Sequence, residues 1–194
     1  PLDVISGRVQ AQAVAASNMI AAGASVRADA VAQAHATLMK LTNTTAATFP
    51  AFATSGTPAT DRFADYAASR ANYVRRMTYG LPQTGAANKP AVVPKGAEVL
   101  LETRLPYLSD AQRRVVLKTT AIASGYPTLD DAEGWGRLNL FAAADGYGEI
   151  KGNVVVNMDA GKGGFHASDR WRNDISGTGK LVKQGSGALK LGGK

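Results

Sequence analysis

The chain of 194 residues contains no cysteine, which excludes disulfides, thiolate metal sites and cysteine nucleophiles. Histidine is scarce as well. His35 and His166 stand far apart, each without a metal-binding neighbour in sequence, a poor basis for zinc, which takes three or four ligands. No apolar run approaches the roughly 20 residues needed to span a bilayer, and no signal-peptide pattern opens the chain. Nor is charge clustered. The net charge is +7; residues 1–150 carry 14 basic and 12 acidic side chains, residues 151–194 carry 8 and 3. The lysines of this basic tail are spaced along a glycine-rich alternating pattern, which describes a solvated sheet face, not a polyanion site. No nucleic-acid partner, metal or cofactor is expected.

What is present changes character twice along the chain. Residues 1–80 are alanine-rich and read as helical. Ile5, Val9, Ala13, Ala16 and Ile20 fall at spacings of three and four, forming one apolar stripe, and Gly23 is placed to end that helix. Ser25 reads as the cap of a second helix striped by Val31, Ala34, Leu38 and Leu41. After Pro50, Gly56 and Pro58 a third helix is expected from about Thr60, with Asp61 at its positive end and Phe63, Tyr66, Tyr73 and Met77 along it, stopping at Gly80. These helices are expected to form part of a helical bundle.

Residues 81–147 read as a proline- and glycine-punctuated connector with short helical pieces. One runs from Glu98 to Arg104. Another, from Asp110 to Thr120, is capped by Ser109 and expected to bury Val115, Val116 and Leu117; a third runs from Leu138 to Ala144. Residues 148–194 switch to a two-residue period. Val154-Val155-Val156 suggests a buried strand, and from Gly177 to Leu191 glycine or leucine occupies almost every second position. This last segment resembles the autotransporter-associated β-strand repeat, whose units stack as rungs of a parallel β-helix, and Trp171 to Gly177 fits the approach to such a repeat. The resemblance implies display at the cell surface or outer membrane, or secretion. A solenoid needs several rungs, so further repeats are expected downstream. The expected fold class is therefore mixed: a helical portion, a connector, and a small β region that begins a parallel β-helix.

The first eight residues carry a second resemblance. Pro1-Leu2-Asp3-Val4-Ile5-Ser6-Gly7-Arg8 resembles the end of the third signature of the type-2 phosphatidic-acid phosphatase superfamily, S-R-x5-H-x3-D, often continued as H-S-P-L-D-V-I-x-G-R. The resemblance implies an acid-phosphatase- or haloperoxidase-like helical domain, and a histidine two residues before Pro1 that attacks phosphorus. Asp3 would be the carboxylate that orients this histidine, the division of labour known from serine-protease triads. The implied reaction is metal-free hydrolysis of a phosphomonoester through a phosphohistidine. Asp3 equally reads as a residue capping the first helix, and the two roles are compatible. The signatures K-x6-R-P and P-S-G-H are absent, so the groups that clamp the phosphate oxygens and protonate the leaving group are expected upstream, and the 194 residues alone are expected to be inactive.

Asp130, Asp131 and Glu133 lack the ligand spacing of a calcium loop and read as a solvated turn. Trp135, between two glycines, reads as a packing anchor. Finally, Gly134-Trp135-Gly136-Arg137-Leu138-Asn139 with Ala142-Ala143-Ala144 resembles the C-terminal end of subtilisin-like protease domains, some of which precede autotransporter regions. That family's nucleophile loop is not matched by Thr54-Ser55-Gly56-Thr57. Two alternatives to the phosphatase therefore stand: a non-catalytic autotransporter passenger or adhesion module, and the end of a subtilisin-like autotransporter protease.

Overall fold

The computed structural model describes residues 2–127 and 135–193. Helix α1 spans Leu2–Leu41 and is broken at Gly23, where φ is 79° and ψ 160°. The break falls where the sequence places it. Ser25, however, lies inside the helical run beyond it and not at a cap. Before the break, Ile5, Val9, Gln12 and Ala16 are buried, a 4-3-4 spacing that forms one helix face. Beyond it, the expected stripe fails as a core face: Leu38 and Leu41 are 45% and 76% exposed. The three-helix packing expected of residues 1–80 is thus reduced to the first half of α1 against α3.

Helix α2 is the short Phe49–Ala53. Helix α3 spans Tyr66–Thr78 and starts later than the sequence suggests. Asp65, not Asp61, caps it by accepting from the Ala68 amide at 2.9 Å. Asp61 instead closes a turn onto the Phe63 amide, which leaves Phe63 outside the helix and 60% exposed. Tyr79, in the left-handed region at φ 55°, ends α3.

In the connector, a 3-10 helix at Ala97–Leu101 stands where a short helical piece from Glu98 to Arg104 is expected. Its residues Ala97, Val99 and Leu101 are buried. Helix α4, Asp110–Thr120, carries a complete capping box between Ser109 and Gln112, worth about 1 kcal/mol by the usual cost of losing such a cap. Val116 and Leu117 are fully buried, whereas Val115 is 44% exposed because it points away from the helix's inner face. Helix α5 is Leu140–Ala143, with the Asn139 side chain accepting from the Ala142 amide.

Four strands follow, separated by a 3-10 turn at Ala160–Lys162 and the single-turn α6, Gly164–Ala167. Strand β1 (Asn153–Asn157) pairs in parallel with β3 (Lys180–Gln184), in the register Val154 to Leu181 and Val156 to Lys183. Strand β2 (Ser168–Trp171) pairs in parallel with β4 (Ala188–Leu191), in the register Asp169 to Leu189 and Trp171 to Leu191. The glycine–leucine segment is therefore not a hairpin closed on itself. Each of its strands lies against an earlier one, and the described strands form no closed barrel.

One hydrophobic core joins connector and strands. Leu101, Leu105, Val116, Leu117 and Leu138 pack with Tyr147, Ile150, Val156, Met158 and Trp171. At its centre the Trp171 indole, fully buried, lies directly on Gly146, which sits at φ 84°; a Cβ there would overlap the ring. Gly146→Ala meets both that overlap and a left-handed backbone, so it should destabilise the chain by about 3 kcal/mol or more. Gly152, with open space around it, is the control: urea denaturation of Gly152→Ala should stay within about 1 kcal/mol of the unsubstituted chain.

Candidate functional site

Asp3 lies in the first turn of α1 and is exposed. Two residues on, Ile5 is 1% exposed, so the turn carrying Asp3 is seated firmly even though the carboxylate faces outward. Arg8, the last residue of the phosphatase-like run, donates from Nη1 to the Arg76 carbonyl near the end of α3. The two histidines occupy different ring contacts. His35 tilts against Phe49 at 6.1 Å, while His166 meets the edge of Tyr107 at 6.2 Å. Among the described residues no group of three His, Asp or Glu side chains could hold a metal ion. Asp130, Asp131 and Glu133 lie outside the described residues.

The best-organised polar constellation is elsewhere, where β2 meets the connector. The Trp171 indole nitrogen donates to the Tyr107 hydroxyl at 2.8 Å. That hydroxyl donates to Asp169 Oδ2 at 2.6 Å, and Arg104 Nη1 donates to the same oxygen at 2.6 Å. The other carboxylate oxygen accepts from the Arg170 amide at 2.6 Å. Two strand residues and two connector residues thus form one chain of donors and acceptors. The Arg104 guanidinium also sits 4.2 Å over the Phe165 ring, so α6 is drawn into the same joint. A second clamp comes from Asn173, whose amide nitrogen donates to the carbonyls of Ala142 and Gly146 at 2.8 and 2.9 Å.

The chemistry of this joint is structural. Burial, followed by the negative charge of Asp169, pushes the Tyr107 phenol far above its ordinary value. It remains protonated at any physiological pH and serves as a donor, not a base or nucleophile. Asp169 is buried against a half-buried Arg104; removing the arginine strands the buried carboxylate, which typically costs about 3–5 kcal/mol. A parallel arrangement lies nearby. The buried Asp145 accepts from the Tyr66 hydroxyl and from Arg172 at 3.3 Å, and the Arg172 guanidinium lies 5.1 Å over the Tyr66 ring. Here too burial and the carboxylate raise the phenol, to about 12.

The protease-like run is likewise a packing element. Leu138 is fully buried, and its carbonyl accepts from Gln12 Nε2 at 3.1 Å and from the Tyr73 hydroxyl at 3.2 Å. Gly136 donates to the Val92 carbonyl at 2.6 Å, and Arg137 Nη2 donates to the Pro127 carbonyl at 2.8 Å. Through Leu138 this run ties α1 and α3 to the connector. Trp135, half-buried against the core, does anchor the connector as its glycine-flanked position suggests.

Sequence reading singled out Trp171 but missed its partners Tyr107, Arg104 and Asp169. A signal existed for one of them. In the two-residue period of β2, Asp169 shares the face of Trp171, and an acid on an inward strand face calls for a buried partner. Nothing local in sequence marks Tyr107 or Arg104, which lie more than sixty residues away.

No family model matches the chain. Curated proteins do. The chain is 33% identical over 127 residues to an extracellular serine protease of Serratia marcescens, covering 50% of this chain and 12% of that protein. It is 33% identical over 112 residues to the neisserial autotransporter lipoprotein NalP of Neisseria meningitidis serogroup B, covering 57% and 10%. Against serotype-specific antigen 1 of Mannheimia haemolytica the identity is 27% over 120 residues, covering 62% and 12%. The chain therefore spans about a tenth of the length of these relatives. They tie it to autotransporter-type proteins and support a location at the cell surface, at the outer membrane or in the secreted fraction. The phosphatase resemblance of Pro1 to Arg8 finds no counterpart in the names of these three relatives.

If the Trp171–Tyr107–Asp169–Arg104 chain holds the strands to the connector, Tyr107→Phe should lower stability by about 1–3 kcal/mol, because it leaves the buried indole N–H without an acceptor. Urea denaturation followed by tryptophan fluorescence measures this. An unchanged midpoint would show that the joint rests on apolar packing alone.

Proposed function

We propose that this chain is a non-catalytic junction module of an autotransporter passenger, in which the connector covers the first coils of a parallel β-solenoid and carries a helical portion on its other side. The carrying observation is the buried joint in which Trp171 and Asp169 of β2 meet Tyr107 and Arg104 of the connector. Paired parallel strands leave an open edge that invites unwanted pairing, and solenoids need atypical terminal units to cover it. The connector core supplies such a cover at one end, and β3 and β4 supply backbone edges for further rungs at the other. In this reading the downstream rungs associate the protein with the cell surface or outer membrane.

The direct test is activity. The purified 194-residue chain should release no phosphate from p-nitrophenyl phosphate at acidic pH and should not hydrolyse casein. Turnover of either substrate by the correctly folded chain would refute the non-catalytic reading.

A second reading is carried by the first turn of α1. Asp3 stands exposed at a helix start that the buried Ile5 and Val9 hold in place, the setting an orienting carboxylate needs. In a longer protein with the phosphatase signatures before Pro1, Asp3 would fix the imidazole of the attacking histidine, and the substrate would be a phosphomonoester. There, Asp3→Asn should lower kcat by about two orders of magnitude or more with little effect on KM, as loss of an orienting carboxylate does. Chelators should leave the activity intact. Unchanged kcat in Asp3→Asn would leave Asp3 only as an acidic residue in the first turn of α1.

A further inference from the structure

We propose that Arg27 is a clasp that fixes the bend of α1 at Gly23, and so sets the direction in which residues 24–41 leave the connector. The bend begins with backbone. A positive φ combined with a ψ near 160° is a region that only glycine visits freely, and Gly23 occupies it at φ 79° and ψ 160°. Nothing lies within 4 Å of where its Cβ would be. The glycine is therefore needed for conformation, not for close packing, and by itself it leaves the angle soft.

A break in a helix also strips the preceding turn of its hydrogen-bond partners. Arg27, one turn beyond the break, answers both problems. Its Nη1 reaches back to the Met19 carbonyl at 2.7 Å. Its Nε and Nη2 hold the two carboxylate oxygens of Glu102 at 2.6 and 3.1 Å. One planar guanidinium thus binds the end of the first half of α1 and the connector together, and a bidentate fork fixes orientation as well as distance. The pair is partly withdrawn from water, at 18% and 34% side-chain exposure, and the guanidinium's proton is held even more firmly than usual by its bond to Glu102.

The first half of α1 needs no such clasp. It is seated by Ile5, Val9 and Ala16, and Ile20 packs so closely on Gly96 that a Cβ there would lie 2.8 Å from its methyl carbon. The second half is different. Of residues 24–41 only Arg27, Val31 and Met39 are half-buried, and the rest are exposed. With so little packing to define it, the direction of this segment rests on the contacts of Arg27.

The absence of cysteine makes the test clean. Ala36→Cys and Ala111→Cys place probes at exposed positions on the second half of α1 and on α4. Spin labels there report a distance distribution by pulsed dipolar EPR. The doubly labelled chain should give one narrow distribution. Adding Arg27→Gln or Glu102→Gln should widen it at least twofold, whereas Arg27→Lys, which keeps the charge but loses the fork, should give an intermediate width. Far-UV circular dichroism checks that each variant is folded. Should a glutamine variant fail to fold, Arg27→Lys, read by the same labels, supplies the measurement. A wild-type width in both glutamine variants, or in Arg27→Lys where they do not fold, would overturn the proposal.

Discussion

The structure depends on a contact between one indole and one glycine. Trp171 lies directly against Gly146 because no side chain stands there to keep it away, and its ring nitrogen reaches the Tyr107 hydroxyl. From that hydroxyl the sequence of partners runs to Asp169 and Arg104. Asn173 clamps the same turn from the other side through the carbonyls of Ala142 and Gly146. Apolar burial alone could hold two sheets of two strands against a helix, but it would not fix their register. The directed bonds at this joint do, because Asp169 and Trp171 reach their partners only when β2 presents that face inward.

The register of β2 then constrains the rest. Strand β4 lies beside β2, and β3 beside β1, in parallel and in step, so the joint at β2 sets how β4 is presented. On its helical side the connector is tied back by Leu138, whose carbonyl collects Gln12 and Tyr73. The run Gly136-Arg137-Leu138-Asn139, which resembles a protease ending, thus packs the connector onto α1 and α3.

Local signals made much of the architecture legible. The capping box of Ser109 and Gln112 marks α4 by chemistry confined to four residues, and Gly23 marks the break in α1. The change to a two-residue period places the strands. Errors arose where tertiary contacts decide. The stripe of Val31, Ala34, Leu38 and Leu41 has the period of a buried face, yet Val31 is only half-buried and the other three are exposed. Thr60 and Asp61 offered a plausible helix start, yet Asp65 won because starting the helix there brings Tyr66 to Asp145 and Tyr73 to Leu138. Parallel pairing was legible only through a repeat resemblance, since alternation alone fits a hairpin equally well. The joint itself was half visible: its tryptophan stood out, while Tyr107 and Arg104 could be found only by folding the chain.

The central claim is that connector and strands form one cooperative unit through this joint. Native-state hydrogen exchange measures it residue by residue. The amides of Leu117 in α4 and Val156 in β1, both fully buried, should open with the same free energy, and Trp171→Ala should lower both together. If Val156 exchanged through a separate, less stable opening while Leu117 kept its protection, the strands would be an independent appendage and the account would be wrong.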